Sequence, residues 1–380
     1  MGGKNVRTPR IDKLAAGSLL YTRGYTLPVC SPSLATLLTG HYPHVHGITG
    51  NDLGKPGAGR ARLTGRLLKN ALLLPKALSA AGYLTFQTGK LWNTTFSEVG
   101  FTAGMTGTVG RHGGAGLKVG REGLQPIYNF IEDARAKEKP FFVWYAPLLP
   151  HDPHTPPERL LAKYRGQGPT PAAEKYYAMV EWFDETCGEL DDYLAKNKLT
   201  ENTVILYLAD NGWDAARGMS GMRSKLSPYE LGVRTPMFVR WPGKVPPLRD
   251  DETLASIIDF VPTILKVCGV PVPAELPGLN LLDRKAMTAR QSIFLAASTH
   301  DIADLDRPAM SLTARMVIDG WSKLLLPGAA SAGMKRAAVP TQPELFDLKA
   351  DPLETTNLAA QKPEEVARLS HSLDAWWKVE

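Results

Sequence analysis

Cysteine is scarce in this chain: three residues in 380 (Cys30, Cys187 and Cys268), far apart and odd in number. That excludes a disulfide framework and a thiolate zinc site. No apolar run approaches the roughly 20 residues that a bilayer-crossing helix needs. Met1-Gly-Gly-Lys opens the chain without the apolar core of a signal peptide. No block of basic residues accompanies the net charge of +6, so nucleic acid is not an expected partner, whereas an anionic substrate suits the balance. Glycine is frequent between Met105 and Gly123 but follows no repeat, and this stretch reads as a long surface loop.

What is present is an ordinary globular composition, 43% hydrophobic and 22% charged. The length suits one large domain with a smaller companion. Short apolar runs alternate with helical patterns, which is the α/β class. Strands are expected at Ser18–Tyr25, Tyr83–Gln87, Phe141–Ala146, Val204–Ala209 and Pro236–Arg240. Phe141–Ala146 and Val204–Ala209 are continuous apolar runs, as buried parallel strands are. Tyr176, Val180, Phe183, Cys187, Leu190 and Leu194 recur at three- and four-residue steps and predict a helix over Ala172–Asn197. A second helix is expected over Leu254–Val267, ended by Gly269. Beyond Asp304, Ser311–Ile318 and Trp321–Leu326 flank Asp319-Gly320, a hairpin signal. Glu344–Leu348 would add a strand and Glu364–Trp377 a closing helix. The expected division is a large α/β domain over residues 1–305 and a small α+β domain over 306–380.

Several segments carry chemistry. Cys30-Ser-Pro-Ser-Leu-Ala-Thr-Leu-Leu-Thr-Gly40 places a cysteine just ahead of an expected helix start, with Pro32 near the first helical position. A helix N-terminus presents unpaired N–H groups and favours anions. Ala209-Asp210-Asn211-Gly212 follows a strand, and ligand crevices of open α/β sheets lie at the carboxyl ends of strands. Read alone it is a simple turn, but its carboxylate and amide carbonyl are also hard oxygen ligands suited to calcium or magnesium. Gly89-Lys90-Leu91-Trp92-Asn93 follows another strand, and Ala146-Pro-Leu-Leu-Pro-His151-Asp-Pro-His154-Thr-Pro-Pro-Glu158 a third. A histidine there suits the protonation of a departing alcohol, because its pKa lies near the working pH. Lys225 lies in Arg223-Ser-Lys225-Leu-Ser-Pro-Tyr-Glu-Leu-Gly-Val-Arg234-Thr-Pro236. The tail Glu344-Leu-Phe-Asp-Leu-Lys-Ala-Asp351-Pro-Leu-Glu354-Thr-Thr-Asn357-Leu is a further distinctive segment.

In this order, from about Thr8 to Leu358, the segments resemble the sulfatase family, of the alkaline-phosphatase type. The resemblance implies a large, mostly parallel sheet flanked by helices, and a small C-terminal antiparallel sheet with one helix. It implies that Cys30 is oxidised to formylglycine by a formylglycine-generating enzyme, and that the hydrated aldehyde attacks sulfur. It further assigns Asp210 and Asn211, with residue 30, to an active-site calcium ion, magnesium being the alternative. Lys90 and Lys225 then contact the sulfate. His151 is preferred to His154 as the acid, because it stands seven residues before Glu158, as the family's histidine does. The implied substrate is a small-molecule or oligosaccharide sulfate ester, without a membrane span. The runner-up activities are those of a phosphodiesterase or phosphonate monoester hydrolase of the same superfamily, or non-catalytic binding of sulfated glycans.

Three departures accompany the resemblance. Leu34 stands where the family has arginine, and Trp92 where it has histidine, leaving His112 and His300 as candidate replacements. The family's first strand, ending in an Asp-Asp pair that binds calcium, has no counterpart before Thr8-Pro9. The expectation is therefore an N-terminally truncated sequence, whose full-length form would be periplasmic or secreted. The pocket-shaping loops would be Asn51–Arg66, Met105–Gly123 and His300–Pro308.

Overall fold

The structure is a computed structural model. It describes residues 5–54, 59–91, 94–107, 114–214, 223–335 and 337–379. In chain order its strands are β1 (Leu19–Tyr25), β2 (Leu84–Gly89), β3 (Ala103–Gly104), β4 (Phe141–Ala146), β5 (Ile205–Tyr207), β6 (Met237–Arg240), β7 (Leu248–Ser256), β8 (Ser292–Ser298), β9 (Leu312–Asp319), β10 (Ser322–Pro327) and β11 (Glu344–Asp347). They form three sheets, ordered β5-β6-β1-β7, β3-β2-β4 and β11-β10-β9-β8. The three-stranded sheet is parallel throughout. The first sheet is mixed: β1 runs parallel to β7, while β6 lies antiparallel to both β1 and β5.

The first sheet ends in β5 and the three-stranded sheet in β4, and the same helices pack against both strands. Phe183, on the helix Pro171–Lys196, stacks on Tyr145 of β4 and on Tyr207 of β5, with centroids 6.4 Å apart in each pair. Phe142 and Leu206 are one or three residues removed from those tyrosines, so they point to the other face, where they share an apolar cluster with the helix Phe260–Val267. Helices thus cover both faces, as a buried layer requires. The third sheet is antiparallel, is covered by the helix Pro363–Trp376, and packs Leu369 and Leu373 against Val317, Leu324 and Leu345.

The long helix, the hairpin around Asp319-Gly320 and the closing helix lie within two residues of their expected bounds. The helix expected from Leu254 begins only at Phe260, because Leu254–Ser256 complete β7 and pair with Arg23–Tyr25 of β1. Ser256 and Asp259 then form a capping box that turns the chain into the helix. Apolar spacing does not separate a buried strand end from a helix start. The C-terminal sheet also recruits β8, which precedes residue 305.

Candidate active site

The first three helices of the chain are α1 (Pro9–Ala16), α2 (Cys30–Thr39) and α3 (Pro43–His46). Cys30 is the first residue of α2 and is buried. The helix starts earlier than expected, so Pro32 takes its third position, where the missing N–H still has no intrahelical acceptor to satisfy. Gly40 ends α2 in the left-handed conformation, and its N–H closes on Thr36 O at 2.7 Å. The Thr-Gly at the end of the segment is thus a helix stop.

Neighbouring loops are pinned to the start of this helix. Leu226 N–H donates to Pro28 O at 2.8 Å, holding the Lys225 loop two residues ahead of Cys30. Ser33 Oγ donates to Asp210 O at 2.6 Å, which ties the end of β5 to the first turn of α2. On the other flank, Lys90 N–H donates to Ala146 O at 2.6 Å where β2 and β4 end together.

The side chains converge. Lys90 Nζ lies 3.1 Å from Asp210 Oδ2, with little solvent around the lysine. Burial pushes the Asp210 carboxyl upward, but Lys90 and Lys225 outweigh it and hold it below the usual carboxylate range. His151 is lowered to about 4, first by burial and then by the same two lysines. Its ring is therefore neutral at neutral pH. Lys90, Asp210, Lys225 and His151 form one electrostatic group, with Lys225 buried. His154 is turned elsewhere, toward Asp152 at 3.4 Å and the ring of Tyr176.

Asn211 fits a role in cation binding. Its Nδ2 donates to Gly212 O at 3.0 Å, while its Oδ1 is buried with no hydrogen-bond partner among the described residues. An orphaned acceptor beside a depressed carboxylate is a suitable pair of ligands for a hard cation, two of the roughly six to eight that calcium takes. A second group of candidate ligand atoms, on Asp52, His300 and Asp301, lies within 4.8 Å of one another.

Leu34 lies buried in an apolar cluster with Leu91, Trp144 and Leu226, so no cation occupies its place. Trp92 and His112 lie outside the described residues. His300 is described: its Nε2 sits 3.1 Å from Asn51 Nδ2. Asn51 is buried and its Oδ1 lies 3.5 Å from Cys30 Sγ. Sequence reasoning missed it, since an asparagine in a loop carries no spacing signal.

The sulfatase family model matches residues 1–270. The chain belongs to the sulfatase family. It is 28% identical to human arylsulfatase A over 359 residues, covering 79% of this chain and 68% of that one. To the dog N-acetylgalactosamine-6-sulfatase it is 27% identical over 328 residues, covering 74% and 62%. The chain thus spans about two thirds of these sulfatases. Among solved structures, BT4656 in complex with its substrate D-glucosamine-2-N,6-O-disulfate superposes with a TM-score of 0.75 at 19% identity, over 99% of this chain and 94% of that one. That likeness shows the alkaline-phosphatase-like fold.

Proposed function

We propose that this sulfatase hydrolyses a sulfate ester of a sulfated carbohydrate, through formylglycine made from Cys30 and with calcium held in part by Asp210 and Asn211. The observation that carries the reading is the convergence of Lys90, Lys225, His151 and Asp210 beside the N-terminus of α2, where Cys30 is the first helical residue. The hydrated aldehyde would supply an oxygen nucleophile, and the metal ion would neutralise charge on the sulfate oxygens.

The chain's own residues do the rest. Lys90 and Lys225 offer compact positive charges to two sulfate oxygens. The N-terminal end of α2 adds partial positive charge on the same side. His151 faces this group from the loop after β4; burial and the two lysines lower its pKa, and a bound anion would offset the lysines and favour the protonated ring that a leaving alkoxide needs. Sulfated carbohydrate as the substrate class is supported by the relatives' names, N-acetylgalactosamine-6-sulfatase among them.

Parallel assays with an aryl sulfate and an aryl phosphate diester, combined with mass spectrometry of the Cys30 peptide, test this. Turnover of the sulfate, a peptide mass matching the aldehyde, and loss of turnover in Cys30→Ser are expected. Preference for the diester, or wild-type turnover in Cys30→Ser, refutes it.

A further inference from the structure

Two loops that carry no readable code meet behind Cys30. Gly50–Asp52 runs beside His300–Ile302 as a short parallel pairing: Asn51 N–H donates to His300 O at 2.6 Å, Ile302 N–H donates to Asp52 O at 2.7 Å, and Asp52 bridges Asp301. The approach is close enough that a Cβ on Gly50 would stand 2.8 Å from His300 O. Glycine is therefore required where the two backbones touch.

This pairing aligns a line of side chains. Asp301 Oδ1 lies 2.6 Å from His300 Nδ1, which places the proton of the neutral ring on Nδ1 and leaves Nε2 as an acceptor. Nε2 then accepts from Asn51 Nδ2 at 3.1 Å. With its amide nitrogen so engaged, Asn51 must turn Oδ1 toward α2. There it accepts from Ser31 N–H at 3.2 Å and from Ser31 Oγ, with Cys30 Sγ 3.5 Å away. The line begins at Asp301, whose side chain is 59% exposed, and ends at a residue 30 that is 1% exposed.

We propose that Asp301, His300 and Asn51 are positioning residues that fix the orientation of residue 30 at the head of α2. His300 sets the rotamer of the Asn51 amide, and Asn51 holds the side chain at position 30 and its neighbour Ser31. The inference rests on residue 30 being the reacting group.

Cys30, Cys187 and Cys268 provide the test, because none is in a disulfide. The protein with an unconverted Cys30 is treated with iodoacetamide, and alkylation of each cysteine is followed by mass spectrometry. His300→Leu and Asn51→Leu should alkylate at Cys30 at least tenfold faster than wild type, with Cys187 and Cys268 unchanged. His300→Gln, which keeps an acceptor near the place of Nε2, should stay within about threefold of wild type. A Cys30 rate within twofold of wild type in both leucine variants overturns the proposal, as does parallel acceleration of all three cysteines.

In the converted protein, His300→Leu should lower kcat for an aryl sulfate at least tenfold, leave KM within threefold, and be rescued in His300→Gln. A wild type without sulfate-ester turnover that still shows the alkylation pattern would refute the proposed function and leave the positioning role standing.

Discussion

Two histidines show how one residue type serves opposite ends here. His46 is fully buried, and its Nδ1 accepts the Ile48 N–H at 3.0 Å, so its proton sits on Nε2 and reaches Thr36 Oγ1 of α2 at 3.1 Å. Burial, with nearby His41, His44 and Arg66, lowers its pKa to about 3. The unfolded chain, with an ordinary value near 6.5, binds more protons than the native state between those two values. The stability contributed by neutral His46 is therefore complete above about pH 6.5 and is lost as pH falls toward 3. Unfolding in urea at pH 7 and pH 4.5 should differ by about 2 to 3 kcal/mol from this group. His46→Gln, which cannot titrate, should show a correspondingly flatter dependence. Equal dependence in the two proteins would assign the acid sensitivity to other groups.

His151 has its pKa lowered to about 4 by burial and two lysines, yet it faces the site from which an alcohol must depart. In the proposed reaction a bound anion favours its protonation. His151→Gln should therefore cost about 10²-fold or more in kcat for an alkyl sulfate, whose leaving group needs a proton. An aryl sulfate with an acidic phenol should lose far less. Equal losses for both esters would move the proton donor to another residue.

At the scale of elements, the close meeting of β2 and β4 places Lys90. Gly89 has φ +73°, and a Cβ there would stand 1.9 Å from Ala146 O, a backbone atom. Gly82 has φ +89° but nothing within 4 Å. Gly82→Ala should thus lose only about 1–2 kcal/mol for the left-handed backbone, whereas Gly89→Ala must also separate two strands. We expect Gly89→Ala to unfold at lower denaturant than Gly82→Ala and to raise KM for sulfate esters as Lys90 leaves Asp210. Similar unfolding midpoints in the two variants would mean that the strands yield freely. The Gly-Lys pair was legible through its resemblance to the sulfatase segment that follows a strand. So were α2 and the turn at Asp210, whose signals span a few residues. The end of β7 at Leu254–Ser256 was not, since its partner β1 lies over 200 residues away in the chain. Asn51 was equally illegible, because its meaning comes from His300, 249 residues on.

The tail shows the same lesson for the whole molecule. Glu344, Glu354 and Asn357 look like a family signature without chemistry, yet each closes a long-range contact. Tyr229 donates to Glu344 at 2.7 Å, Glu230 N–H donates to Glu354 at 2.6 Å, and Asn357 accepts from Leu345 N–H at 3.0 Å. Arg223 donates to the carbonyls of Leu353 and Glu354. The segment that carries Lys225 is therefore held at both ends by the tail. Between them lies Lys323 of β10, fully buried, 3.0 Å from Glu230 and 2.8 Å from Glu354, with Tyr25 of β1 donating to Glu230 at 3.1 Å. One buried cation thus joins the C-terminal sheet, the active-site loop and the central layer. Burial alone would lower the pKa of Lys323, but the two carboxylates outweigh it and raise it, so the ammonium keeps its charge. Removing it leaves two buried carboxylates facing each other, with Arg234, 3.6 Å from Glu230, as counterion to one of them. Lys323→Met should therefore lose about 3–5 kcal/mol of stability. Glu354→Gln should lose less, because it removes charge while keeping an acceptor for Glu230 N–H. Unfolding followed both by near-ultraviolet signal and by protease cleavage within residues 306–380 should remain a single transition in each protein. If Lys323→Met matched the wild-type midpoint, or if the tail were cleaved well before the remainder unfolded, this buried triad would not be what binds the two parts.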